Sequence, residues 1–179
     1  NNPLMAANLM QALIDAGDAA QALRLTTDAM RQAPHIQPLA EKHAWALAAL
    51  AHWDEAQPAV LHAIALAQAA GAAPAPALAA LADELRNGWW RPLALGGVTL
   101  RLPVEDDRAF VACCFGSPAF ISRYRRFQAG DSAAVGSFID LARRRPRQTG
   151  RIDWIVCRAA QPLGLASLSD LDFNHRRGE

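Results

Sequence analysis

The sequence predicts an α+β multidomain chain, with antiparallel helical hairpins over 1–88 and a strand-and-helix domain over 92–179. Three observations predict it. The first half matches itself at an offset of 34 residues, the signature of a helical repeat. The second half holds apolar residues in alternation at 98–102 and two strand-like runs at 151–158 and 163–171. Composition and charge also change between the halves. Of forty alanines, thirty precede residue 95. Residues 1–88 hold four basic and eight acidic side chains, whereas residues 89–179 hold fourteen basic and nine acidic. The shift near Gly88 places a domain boundary there.

In the first half, Ala16-Gly17-Asp18-Ala19-Ala20-Gln21-Ala22 lies over Leu50-Ala51-His52-Trp53-Asp54-Glu55-Ala56, and Ala29 and Met30 fall on Ala63 and Ile64. Helices are predicted near 4–16, 18–33, 37–51 and 54–70, with a fifth near 76–87 closing the stack. Small side chains at Ala22, Ala29, Ala56 and Ala63 let paired helices approach closely, and Trp53 and Leu25 are expected to fill the space between pairs. Gly17 suits the left-handed end of a helix, and Pro34 a turn between units. Two units and a closing helix make a short solenoid, so the array is expected to continue before Asn1 or to lean on the second domain. His35, His43, His52 and His62 are scattered along this half and form no ligand set. Surface and interhelical packing roles are expected of them, and core roles of Trp45 and Trp53.

Asn87-Gly88 ends the helical half, and Trp89-Trp90-Arg91-Pro92 leads into the second. Val98 to Leu102 alternates as a half-buried strand should and stops at Pro103. Glu105-Asp106-Asp107 supplies acids to the start of a helix reaching about Cys114. Ser117-Pro118 opens a second helix, with Ser117 in the capping place and Phe120, Ile121, Tyr124 and Phe127 as its apolar side. A third runs from about Ser132 to Arg145, before Pro146. The runs at 151–158 and 163–171, joined by a Gln161-Pro162 turn, form a hairpin in one sheet with 98–102, and Trp154 packs within it.

Composition excludes several classes. Seventeen of eighteen basic residues are arginine and only Lys42 is lysine, a bias of GC-rich bacterial coding sequences. A surplus of five positive charges in the second half suits an anionic ligand such as a phosphorylated cofactor and is too small for a nucleic-acid partner. Three cysteines, two of them adjacent (Cys113 and Cys114), with Cys157 apart, make no disulfide framework, which points to the cytoplasm. Cys113-Cys114 has neither a nearby histidine nor metal spacing, so no metal site is expected. No signal peptide is visible, and His62, Gly71, Pro74 and Pro76 break the most apolar stretch, so no membrane span is expected.

The 34-residue period with small residues at fixed places resembles the tetratricopeptide family. The ordered set of strand 98–102, helices, and hairpin 151–171 resembles the opening half of a GNAT acyltransferase domain, and Pro162-Leu163-Gly164-Leu165-Ala166 after an aromatic-bearing strand is its most specific piece. The resemblance covers roughly residues 96–179 and implies an acyl-CoA-dependent N-acetyltransferase acting on a primary amine, either an amino sugar or a protein amine. Acetyl-CoA is the implied co-substrate, and no metal is implied. Glu179 inherits by position the role of the base that takes the amine proton. Asp170 and Asp172 would orient a cationic acceptor, and Arg123, Tyr124 and Arg126 would border its pocket. Solvated helix faces also account for the arginine clusters at 123–126 and 143–147, and a strand-edge acid for Glu179. The Gly-rich turn that grips the cofactor pyrophosphate is expected beyond Glu179, so the sequence reads as truncated before it. The helical half would recruit a protein partner or mediate self-association. The alternative is a non-catalytic tetratricopeptide-like interaction module carrying a degenerate or truncated acyltransferase scaffold.

Overall fold

The computed structural model describes residues 2–123 and 132–171, which divide between two compact units, Asn1–Gly88 and Trp89–Glu179. The fold is α+β: the first unit is helical, and the second joins short helices to a four-stranded antiparallel sheet.

The first unit contains α1 (Pro3–Asp15), α2 (Ala19–Gln32), α3 (Gln37–Ala49), α4 (Trp53–Ala69) and α5 (Pro76–Arg86). Asn2 caps α1 by accepting from the Leu4 N–H at 3.0 Å, with Pro3 in the first turn, where its missing N–H costs nothing. Asp18 caps α2 through the Gln21 N–H at 3.1 Å. The repeat predicted from sequence is realised in the backbone. α1 and α3 begin 34 residues apart, as do α2 and α4, and both α1 and α3 are 13 residues long. Between paired helices stand Gly17 at φ 85° and Ala51 at φ 57°, again 34 residues apart. The bonds around them repeat too: Asp18 N–H to Leu13 O at 2.9 Å, and His52 N–H to Leu47 O at 3.0 Å.

Fully buried Ala22, Ala44, Ala46, Ala56 and Ala63 hold the helix axes close, and Leu78, Leu81 and Leu85 of α5 are wholly inside. Each buried leucine contributes about 2 kcal/mol of transfer free energy. Trp53 is buried and Trp45 half-buried, but Leu25 is exposed on α2, so it does not fill the space between pairs. The histidines serve as links. His43 Nδ1 lies 3.1 Å from buried Thr26 Oγ on α2, and His62 Nε2 lies 2.9 Å from Pro34 O. The Thr26 hydroxyl donates to Leu23 O at 3.0 Å, so its lone pair is left for a proton on His43 Nδ1. Burial lowers the His43 pKa, the nearby Glu55 opposing, and the imidazole is kept neutral.

The second unit begins with a hairpin that periodicity did not reveal. β1 (Leu93–Leu95) pairs with β2 (Val98–Arg101) through Gly96 and Gly97, both at positive φ. A three-residue strand has too little sequence to alternate, and the Gly-Gly pair between apolar residues was its only signal. A 3-10 turn (Glu105–Asp107) leads into α6 (Arg108–Gly116), then α7 (Pro118–Arg123), α8 (Ser132–Arg143) and the single turn α9 (Pro146–Thr149). α8 thus stops two residues short of Arg145, which precedes Pro146 and must be extended.

β3 (Ile152–Arg158) then pairs with both β2 and β4 (Gln161–Leu168), giving the order β1-β2-β3-β4. The hairpin turn is not Gln161-Pro162. It is Ala159-Ala160, at φ 46° and 66°, and both Gln161 and Pro162 lie in the strand. Proline is tolerated because β4 is an edge strand among the described residues, and an irregularity at Val156/Cys157 leaves Leu163 out of the pairing.

Register divides the sheet into two faces. Asp153, Ile155 and Cys157 of β3 are buried on one, where Ile155 and Cys157 join Val111 and Phe115 of α6 and Val135, Phe138 and Ile139 of α8 in one core. The Phe115 ring meets Phe138 edge-on at 5.5 Å and Phe120 of α7 at 5.4 Å. Ile152, Trp154 and Val156 occupy the other face with Leu100, Gly164, Ala166 and Leu168, so Trp154 lies within the sheet.

Two predictions test this backbone reading. Gly17 has open space around a built Cβ, so Gly17→Ala costs only its conformational term, about 1 kcal/mol, whereas Ala51→Gly gains a similar amount. Urea midpoints of the two variants should move in opposite directions. Replacing Ala159-Ala160 by Asn-Gly, which suits two positive φ angles, should raise stability by about 1 kcal/mol; a loss would show that the turn lies elsewhere.

Candidate functional site

The chemistry-bearing residues of the second unit gather at one end of the sheet, where β2 and β4 finish and β3 starts. Two buried carboxylates stand there. Asp107 ends the 3-10 turn and accepts both guanidinium nitrogens of Arg101, at 2.6 and 2.7 Å, as well as the Val104 N–H at 2.8 Å. This fork fixes the chain after Pro103 against the end of β2. Asp153 is fully buried on β3. It accepts from Arg151 Nε at 2.7 Å, from a second Arg151 nitrogen, and from Ser167 Oγ on β4. Arg151 stands just ahead of β3, two residues before Asp153, and Ser167 is the register partner of Asp153.

The electrostatics follow from these contacts. The Arg101 fork holds the Asp107 carboxyl below the ordinary carboxylate range, with the Val104 N–H adding to it and burial opposing; Arg101 is raised in turn. Next along the chain, Arg108 bonds Glu105 at 2.6 Å, and its guanidinium passes over Gly136 of α8, 3.4 Å from where a Cβ would stand. Burial pushes the Cys114 thiol up, away from the thiolate form, while Cys113 is exposed. Among the described residues no three His, Cys, Asp or Glu side chains are placed to hold a metal ion.

Of the six residues to which the resemblance gives site roles, Asp170 is the one fully described. It is exposed, at φ 60°, and accepts from Ser169 Oγ at 3.1 Å. The Leu171 N–H donates to Gly150 O at 2.9 Å, tying the segment after β4 to the residue before Arg151. The backbone that follows Asp170 is thereby held at the entry to β3. Arg123 is the last residue of α7, and only its backbone is described. Tyr124, Arg126, Asp172 and Glu179 lie outside the described residues.

Sequence reasoning missed Arg101, Asp107, Arg151, Asp153 and Ser167. One signal was present: an aspartate at an inward position of an otherwise apolar strand, with arginine two residues before it, is a buried pair. Chemically, both buried carboxylates are neutralised by arginine and serve to place the backbone. Exposed Asp170 and Asp106 are carboxylates at this end that can attract a cation.

On the first unit and elsewhere, no helix among the described residues is long and apolar enough to cross a membrane. Breaking the Arg101 fork should be costly. Asp107→Asn should lower stability at pH 7 by about 3 kcal/mol, the low end for a buried pair because the Arg101 side chain is 30% exposed. The sign with pH is definite. A depressed folded-state pKa gives stabilisation that is complete above the unfolded value, near pH 4, and lost as pH falls through the folded one. Urea midpoints of the parent and Asp107→Asn should therefore converge as the pH is lowered below about 4; a gap that persists would assign the stabilisation elsewhere.

Set against protein-family models, curated proteins and solved structures, the chain gives no match.

Proposed function

We propose that the second unit belongs to an acyl-CoA-dependent N-acyltransferase of GNAT type and that the first is a tetratricopeptide-like platform that brings it to its acceptor. The observation that carries this reading is the order of elements. A strand (β2), helices packed on one sheet face (α6 and α8), and then two further antiparallel strands (β3 and β4) adjoin one another in chain order. That is the order in which a GNAT domain opens, and the end of β4 leads towards the residues to which the resemblance gives roles.

In this reading the acceptor amine attacks the thioester carbonyl of acetyl-CoA directly. The carbon–nitrogen bond forms, the carbon–sulfur bond breaks, the amine proton passes to Glu179 or through water to it, and coenzyme A leaves as the thiolate, which takes its proton from water. An ammonium ion does not attack, so a base at this place is required. Exposed Asp170, with Asp172, attracts the cationic form of the acceptor, and Arg123, Tyr124 and Arg126 border its pocket. Backbone N–H groups beyond Glu179 hold the pyrophosphate. Cytoplasmic residence agrees with unpaired Cys113, Cys114 and Cys157.

The second reading, a non-catalytic interaction module, draws support from the two buried carboxylates, whose charges are taken up by arginine. The experiment is acetyl-CoA turnover by the natural protein that contains these 179 residues, with amino sugars and peptide amines as acceptors. Coenzyme A should be released only when an amine is present, and Glu179→Gln should slow release by about 10²-fold or more with acetyl-CoA binding retained. Absence of both turnover and acetyl-CoA binding would support the interaction module instead.

A further inference from the structure

The repeat geometry of the first unit carries an inference independent of the acyl-transfer reading. In the second helical pair, two residues of α3 mark its contact with the preceding pair. Leu39 is buried in one cluster with Ala7 and Met10 of α1, and His43 bonds Thr26 of α2. Moving back by the 34-residue repeat places Met5 where Leu39 stands and Leu9 where His43 stands. Yet Met5 is 70% and Leu9 55% exposed, and Leu4 beside them is 59% exposed. A solvated helix face ordinarily carries charge, but the only charged residue of α1 is Asp15, at its end. The other end of the unit looks different: exposed Asp83 and Arg86 of α5 form an ion pair at 2.9 Å, as a closing helix should.

We infer that the outer face of α1 is a docking surface for one more helical pair of this same 34-residue repeat, entering α1 through the kind of short turn that joins α2 to α3. The interface is the translational copy of the one α3 makes with α1 and α2. A second copy of the chain is a poorer occupant. One stripe of a 13-residue helix, about 20 Å long, falls short of the roughly 800 Å² per partner that a stable dimer buries.

The test lengthens the full chain by a copy of residues 2–35 inserted ahead of Asn2, which keeps the 34-residue spacing and the Asn2 cap. The added pair should be helical by circular dichroism and should raise the melting temperature of the first unit by roughly 5 °C or more. Met5→Glu with Leu9→Glu in the original α1 should abolish that rise, while leaving the parent chain's own melting temperature unchanged because both side chains there face water. Two results would overturn the inference. One is an inserted pair that stays unfolded or whose gain survives the two glutamates. The other is a parent chain that sediments as a dimer broken by those glutamates, which would give the face to a second copy.

Discussion

One buried charge organises the second unit. Asp153 lies wholly inside, on the strand that pairs with both β2 and β4, and an unpaired carboxylate there would cost several kcal/mol. It is satisfied only if Arg151 lies two residues before it and Ser167 lies directly across on β4. Slipping the pairing by one residue would bring Trp154 inward and turn Asp153 to the opposite face, away from the core that Ile155 and Cys157 share. The register of the hairpin, the burial of Ile155 and Cys157 against α6 and α8, and the position of Asp170 beyond β4 all follow from that arrangement. The Arg101–Asp107 fork repeats the device at the end of β2, where it fixes the entry into α6.

The first unit is organised by backbone geometry instead. A left-handed residue must stand between paired helices, at Gly17 and again at Ala51. Alanine at the second of these is an unfavourable choice locally, and it persists because the burial of Ala56, Val60 and Ala63 against neighbouring helices outweighs it. Small residues then allow close packing, and His43, His62 and Gln57, which donates to Leu85 O at 3.2 Å, lock one helix to the next. The same translation that makes this unit regular leaves Met5 and Leu9 of α1 in water.

Much of this was legible in the residues. The offset of 34 located the first four helices to within two residues at each end, because the repeat samples one structural problem twice. The hairpin at 151–171 was legible from β-rich runs, but its turn was misplaced. Proline marks turns by habit, yet at an edge strand its missing N–H faces no partner, whereas Ala159-Ala160 adopts left-handed angles that alanine does not advertise. Leu25 was expected inside from its apolarity, but the space between helices was filled by alanines. The carboxylate pairs escaped notice because charged residues on strands usually read as solvent-facing, and their burial depends on partners brought by register. The candidate roles of Tyr124, Arg126, Asp172 and Glu179 came from a resemblance, and those residues lie outside the described part of the chain.

The proposal that the second unit receives acyl-CoA makes a spatial claim about the natural protein, and hydrogen exchange tests it most directly. Backbone amides should be followed with and without acetyl-CoA. The account predicts slowed exchange in the region from about residue 150 onward, around the end of β4 and towards Glu179, with α1 to α5 unchanged. Protection confined to residues 1–88, or none anywhere at saturating acetyl-CoA, would contradict it.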